Sequence, residues 1–339
     1  MGLKDEIHST FSRGGIHLRD DGKSLTALKP IERFVPKEVT LPVAKPVVKR
    51  KSKVTRGDLI GEAQGGGVPV HASVSGTVTQ VALKPHPTLA ESMAIVIETE
   101  NNSDIPEESP VMEDPDWRHL SAEAMIAKIA AAGIVGLGGA AFPTYRKLRL
   151  PPGVAVDTLI LNGAECEPYL TCDERLMMEE ASEIIEGGFL LAKIVGAQKV
   201  LIGVEDNKPL AFNVLKEAVS HLKLPMPVHI VACKARYPQG SEKQLIEALT
   251  QRKVPPGKLP FHVGVVVQNV ATAFSCYHAI RYGSPLLDRV ITVSGGGILN
   301  PKNLRVPIGT SVEAIAQFCG GIHHDTVKVI AGGPMMGRA

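Results

Sequence analysis

The stretch Gly136-Leu137-Gly138-Gly139-Ala140-Ala141-Phe142-Pro143-Thr144, followed shortly by Lys147, holds the residues of this chain best suited to chemistry. Glycine leaves no Cβ between the backbone amides and a ligand. Successive amides in such a turn form a concavity for anions, and the Lys147 ammonium adds a full positive charge beside it. The loop therefore reads as a cradle for a phosphorylated cofactor. Two common nucleotide signatures do not fit. A dinucleotide fingerprint follows a strand and opens a helix. Here the residues ahead of the loop, Ser121 to Ala132, are alanine-rich with helical spacing, with Ser121 as N-cap and Gly133 as the stop. Nor does the loop run into the Gly-Lys-Ser/Thr of a P-loop.

A second polar cluster is Asn162-Gly163-Ala164-Glu165-Cys166-Glu167-Pro168, placed just after Val156-Asp157-Thr158-Leu159-Ile160-Leu161. The apolar run reads as a buried parallel strand, and open α/β sheets bind ligands at the carboxyl ends of their strands. An amide and two carboxylates there are costly to bury unless each meets a partner. The segment Glu174 to Val195 reads as the helix that follows.

Taken together in this order and spacing, the two motifs resemble the flavin-binding subunit of respiratory complex I, the 51-kDa type. Tyr237-Pro238-Gln239-Gly240-Ser241-Glu242 and Val267-Gln268-Asn269-Val270-Ala271-Thr272 fit the same pattern. Gly14-Gly15-Ile16-His17, Pro69 to Gly76 and Asn162 to Tyr169 are similar to the variants found in the RnfC (RsxC) family of ion-translocating electron transport complexes. The resemblance extends over essentially the whole chain.

It implies a cofactor and a set of contacts. Gly136, Gly138, Gly139 and Lys147 would hold FMN, with Asn162 and Glu165 at its ring or ribityl side. Gly240, Ser241 and Glu242 would approach from the other side, and Gln268 and Asn269 would contact the phosphate end. Phe142 would stack on the incoming nicotinamide or adenine of NADH, with Glu167 as a polar contact. A flavin joins a two-electron donor to one-electron carriers, and the protein supplies position and electrostatics. Hydride transfer itself needs no general base. Where the complex I protein has an acid, this chain has Ala164, so one flavin contact fewer is implied. The family also carries two Cys-x-x-Cys-x-x-Cys-x-x-x-Cys-Pro segments for 4Fe-4S clusters after its last β domain. This sequence stops at Gly332-Gly333-Pro334-Met335-Met336-Gly337-Arg338-Ala339, ahead of any such segment, and is expected to be a fragment of a longer protein.

Composition agrees with a folded domain assembly. The 339 residues are 44% apolar and 21% charged, ordinary globular values and enough chain for two or three cores. A formal net charge of +2 excludes the basic field expected of a nucleic-acid binder, and Lys49-Arg50-Lys51-Ser52-Lys53 reads as a solvated edge. No run approaches about 18 consecutive apolar residues, so no direct membrane span is expected. The first ten residues are too charged for a signal peptide, and Glu6 spoils a myristoylation motif. Five cysteines without a leader argue for reduced thiols. Neither the Cys166/Cys172 spacing nor the adjacent His323-His324 pair is that of a metal site.

The chain divides into an N-terminal strap (1–29), short β runs broken by Gly and Pro (30–100), a polar linker (101–117), an alternating β/α stretch (118–280) and a β region with glycine turns and a short helix around Ser311 to Phe318 (285–339). The expected fold class is α/β and β multidomain. The 30–100 part resembles a biotinyl/lipoyl-like barrel-sandwich hybrid. Glu62 to Val70, where such carriers place their modified lysine, contains none, so docking or shielding is expected instead of a swinging arm. Runs at Leu159, Val200 and Val228 predict a mostly parallel, Rossmann-like sheet covered on both faces. The last part resembles the β-grasp SLBB domain. The function implied is an NADH-oxidising flavin module of a membrane-bound, ion-translocating complex, peripheral on the cytoplasmic side of a bacterial inner membrane, with the other subunits as partners. Two alternatives stand beside it: a non-catalytic docking subunit with a decayed nucleotide site, and a cobalamin-reductase relative, against which the domain order speaks.

Overall fold

The computed structural model describes residues 9–86, 88–100 and 116–339. Most of the linker at 101–117 and the first eight residues of the strap lie outside them. The first strand, β1 (Ile31–Arg33), leaves the strap and pairs in parallel with a strand near the far end of the chain. Seven strands then build the barrel-sandwich: β2 (Glu38–Pro42), β3 (Lys45–Pro46), β4 (Lys53–Val54), β5 (Leu59–Glu62), β6 (Val70–His71), β7 (Gly76–Pro85) and β8 (Glu91–Thr99). They form two sheets, ordered β2-β8-β7-β4 and β3-β5-β6, around a core that includes Val39, Leu41, Ile60, Val74, Val78, Ile95 and Ile97. The tip between β5 and β6 is docked. The Tyr145 hydroxyl donates to the Gly66 carbonyl at 2.9 Å, and a Cβ at Gly133 would stand 2.6 Å from the Pro69 carbonyl oxygen.

The central domain opens with α1 (Ala122–Ala131), capped by the Ser121 hydroxyl, which accepts from the Ala124 amide. Gly133, at φ +70, ends it as read from the sequence. The glycine loop follows, then α2 (Thr144–Leu148) and β9 (Thr158–Gly163). The single helix expected over Glu174 to Val195 is two, α3 (Cys172–Glu179) and α4 (Ala181–Val195), broken at Glu180. The two segments answer to different partners. The break residue's carboxylate pairs with Arg305 at 3.0 Å, and α3 packs on the third domain while α4 lies along a helix of its own domain. The domain continues with β10 (Lys199–Glu205), α5 (Pro209–His221), β11 (Val228–Cys233), α6 (Glu242–Thr250), β12 (Val265–Asn269) and α7 (Val270–Tyr282).

The sheet order is β11-β10-β9-β12, and every pairing is parallel. β12 joins the three strands read from the sequence. Alternation along β9 sends Leu159 and Leu161 into the core formed with α1, α4 and α7, while Ile160 faces Leu245 and Ile246 of α6. Both faces are therefore covered, and each fully buried Leu or Ile contributes about 1.5–3 kcal/mol. The third domain pairs β13 (Asp288–Val293) with β14 (Lys302–Pro307) antiparallel and adds β1 on the other edge. Its α8 (Val312–Phe318) is capped by Ser311. Phe34 stacks on Phe318 at 4.5 Å, and Arg56 of the barrel pairs with Asp288 at 2.5 Å. Among the described residues no helix is long and apolar enough to cross a membrane.

One contact sets the spacing of the central helices. A Cβ at Gly187 of α4 would stand 2.1 Å from the Ala273 carbonyl oxygen of α7. Alanine is the better helix former by about 1 kcal/mol, yet here it must push two buried helices apart. Gly187→Ala is expected to lower stability by about 1–3 kcal/mol, read from the midpoint of urea unfolding. An unchanged or raised midpoint would refute the packing account.

Candidate functional site

The carboxyl end of β9 opens into a loop that is tied down atom by atom. Asn162 donates from Nδ2 to the Gly240 carbonyl at 2.8 Å and accepts at Oδ1 from the Ala164 amide at 3.2 Å. A Cβ at Gly240 would meet Cys166 Sγ at 3.2 Å and the Ala164 Cβ at 3.5 Å, so this residue is glycine because two loops touch there. Ala164 is fully buried at that contact. Glu165 adopts φ +49, a strained value for a side-chain-bearing residue. Its carboxylate compensates by accepting from the Asp173 amide at 2.7 Å and the Glu174 amide at 3.2 Å, where it caps α3. Lys23 of the strap reaches in beneath. Its ammonium donates to the carbonyls of Glu165 (2.8 Å), Glu167 (2.8 Å) and Leu170 (2.5 Å).

The glycine loop packs against the β12–α7 junction. The Gly136 amide donates to the Phe142 carbonyl at 2.8 Å and closes the turn. The Leu137 amide donates to Thr272 Oγ1 at 2.9 Å, and its carbonyl accepts from the guanidinium of Arg289. A Cβ at Gly138 would stand 2.9 Å from the Asn269 Cβ, whereas nothing lies within 4 Å of the equivalent point at Gly139. Asn269 is the N-cap of α7, its Oδ1 accepting from Ala271 (2.9 Å) and Thr272 (3.3 Å), while its Nδ2 donates to Asp173 at 2.6 Å. Gln268 is buried, and its Nε2 has no acceptor among the described residues.

On the opposite side, the Lys147 ammonium pairs with Glu242 at 2.8 Å, both side chains about one-third exposed. Such a pair contributes at most about 1 kcal/mol and can be opened by a ligand. Ser241 precedes α6 without its hydroxyl capping that helix, and Tyr237-Pro238 is a cis peptide. The strap runs along this segment, with Ile16 bridged to Tyr237. Phe142 is 48% exposed, with the Arg146 guanidinium 5.4 Å from its ring centre. Glu167 stands apart. Its carboxylate accepts from the Met335 amide at 3.2 Å and the Met336 amide at 2.6 Å, in the last turn of the third domain.

The structure thus gathers Gly136, Gly138, Gly139, Asn162, Gly240 and Asn269 at one edge of the sheet, with Lys147 and Glu242 paired beside them. It directs the carboxylates of Glu165 and Glu167 to structural amides. Sequence reasoning passed over Lys23, Asp173, Thr272 and Arg289. Thr272 alone carried a signal, sitting in the quoted run Val267–Thr272; the other three matter through partners 96 to 152 residues away. The remaining features suit an acceptor-rich, phosphorylated flavin. A space faces Gly139, a small amide side chain ties two loops, and the Gln268 and Arg289 side chains each hold a buried nitrogen without an acceptor among the described residues.

The buried charges below the site are coupled to its shape. Burial, then the charge of Glu165, pushes Asp173 up to about 6 from 3.8. Burial pushes Glu174 up to about 7 from 4.5 against the opposing charge of Lys208. Burial and then Lys208 pull Lys23 below its usual range. Both carboxyls hold protons more tightly in the folded chain than in the unfolded one. Their contribution to stability is therefore largest in acid and falls as pH rises through about 4 to 7. The melting temperature is expected to decline over that window from this source, and Glu174→Gln to flatten the decline. An equally steep curve for the variant would exclude Glu174 as a cause.

Comparison with known proteins places this geometry in a lineage. Residues 129–278 match the Nuo51 FMN-binding domain family, 10–102 the RnfC barrel sandwich hybrid domain and 290–339 the SLBB domain. The RnfC-type subunit of the proton-translocating ferredoxin:NAD(+) oxidoreductase complex of Clostridium ljungdahlii is 44% identical over 336 residues, 96% of this chain and 72% of that protein. Its counterpart in the Na(+)-translocating ferredoxin:NAD(+) oxidoreductase complex of Acetobacterium woodii is 42% identical over 342 residues, covering 97% and 75%. The counterpart in the ion-translocating oxidoreductase complex of Rhodobacter capsulatus is 40% identical over 342 residues, but this chain covers only 65% of its length. A crystal structure of an NAD+-reducing NiFe hydrogenase shares the fold at TM-score 0.53 and 22% identity, over 63% of this chain and 43% of that one. The chain belongs to the RnfC family of ion-translocating oxidoreductase complex subunits.

Proposed function

We propose that this chain is the flavin-holding electron-transfer module of such a complex, exchanging electrons between NAD(H) and one-electron carriers. The observation that carries the reading is the open space at Gly139, at the carboxyl edge of a parallel sheet where such folds bind ligands. When bound, FMN supplies the conversion between two-electron and one-electron transfer. The chain supplies the geometry. Gly136 and Gly138 let the loop lie against Asn269, Gly139 leaves room for the cofactor, and Asn162 fixes the distance to Gly240, Ser241 and Glu242. Lys147 exchanges Glu242 for an anionic ligand. Gln268 turns its unspent amide toward the cofactor, and Glu165 keeps the β9 loop in its strained form.

The exposed Phe142 ring is the platform for the dinucleotide. Glu167 contacts NADH only by releasing the Met335 and Met336 amides, so that contact is conditional. The relatives' names couple ferredoxin to NAD(+). The electron partners proposed here are accordingly NAD(H) and iron-sulfur carriers, including the two 4Fe-4S clusters of the family pattern. The chain would dock on the other subunits of the complex at the cytoplasmic face of a bacterial inner membrane.

Titrating the chain with FMN, followed by flavin fluorescence, tests the reading. Gly139→Val fills the space without touching protein and is expected to weaken binding roughly tenfold or more, about 1.4 kcal/mol, at unchanged melting temperature. Lys147→Ala should weaken it less. Bound flavin that NADH bleaches would identify the donor. A folded chain that takes up no FMN would favour the non-catalytic docking subunit instead.

A further inference from the structure

Arg289 comes from β13 of the third domain, yet its guanidinium reaches the glycine loop of the central one. One terminal nitrogen, Nη2, donates to the Leu137 carbonyl. The other, Nη1, is closed to solvent and finds no acceptor among the described residues. A guanidinium is always charged, and a buried donor on a charged group is costly to leave unmade. Ordinary folding offers cheaper ways to hold one carbonyl. The unspent donor therefore marks a place where an acceptor arrives from outside the chain.

The surroundings say what kind of acceptor. The peptide that Arg289 grips is pinned at its other end by Thr272 of α7, and it directly precedes Gly138, which lies against Asn269, and Gly139, which faces open space. The guanidinium is also close enough to Cys172 and Asp173, in the first turn of α3, to favour their ionised forms. One cation thus lies among the glycine loop and the first turns of two helices, a setting suited to an oxyanion. We propose that Arg289 is a cofactor-positioning residue donated across a domain boundary: Nη2 sets the loop, and Nη1 binds the phosphate of the cofactor. The inference rests on the flavin reading above. It makes the third domain part of the cofactor site rather than an appended module.

Riboflavin, which has the same ring and ribityl chain without the phosphate, separates the two roles. The test is titration of the chain with FMN and with riboflavin, for wild type, Arg289→Met and Arg289→Lys, with a thermal melt of each. Arg289→Met is expected to raise the FMN dissociation constant roughly ten- to a hundredfold, as for a lost charge-assisted hydrogen bond, and to leave that of riboflavin within about twofold. Arg289→Lys, which keeps the charge but not the fork, should recover part of the FMN loss. Equal weakening of both flavins would overturn the proposal and leave Arg289 only shaping the loop, with a buried water as the Nη1 partner. No weakening of either would overturn it as well. Wild-type chain that binds riboflavin and FMN alike would show that the phosphate has no receptor here. Wild type that binds neither would sink the flavin reading itself, and this inference with it.

Discussion

A buried ammonium under a strained loop is the constraint on which the rest of the site depends. Lys23 is 6% exposed, and its charge is taken from water to satisfy three carbonyls of the segment 165–170. Desolvating an ammonium costs several kcal/mol, and hydrogen bonds to a charged donor return roughly 1.5–3 kcal/mol each. Three of them, with Glu165 and Glu205 contributing opposite charge nearby, are enough to keep the ion in place. What the clamp secures is the left-handed backbone at Glu165, which in turn aims a carboxylate at the first amides of α3. Without it the β9 loop has no reason to stay folded back over the strand ends. Asn162 and Gly240 would then lose their fixed separation.

The same edge of the sheet is where the other parts of the chain converge. The barrel's lysine-free tip is bound by Tyr145 on α2, immediately after the glycine loop. The strap runs beside Tyr237, and the third domain sends Arg289 to Leu137 and the Met335 and Met336 amides to Glu167. Each contact is a polar tie to a backbone group, not an apolar patch. Backbone groups in irregular loops lack the partners that helices and sheets provide. A site built from loops at strand ends must therefore borrow its hydrogen-bond partners from neighbouring domains.

This explains how much was legible in the sequence. The β9, β10 and β11 runs, the Ser121 and Ser311 caps, the Gly133 stop and the glycine loop itself are local patterns, and local rules found them. The break at Glu180 was not legible, because the residues around it are acceptable in a helix and only Arg305, 125 positions later, and the change of packing partner divide it. Glu165 shows the other limit. A carboxylate at a strand end looks like a ligand group from sequence alone, while in the fold both its oxygens are taken by α3. Lys23 and Arg289 sit in unremarkable polar surroundings in the chain. Their importance comes entirely from partners 142–152 residues away.

The two adjacent glycines of the loop show how fold and ligand requirements can be told apart within one motif. At Gly138 a methyl group would collide with Asn269, so glycine there is demanded by the protein's own packing. At Gly139 a methyl group would touch nothing, and the backbone conformation is open to any residue. Folding alone would favour a larger residue at that second position, because glycine loses more chain entropy than any other on ordering. Its presence is best accounted for by something that occupies the space when the site is at work. Sequence pattern treats the two glycines as equivalent; the space around each one separates the residue that builds the cradle from the residue that leaves it open.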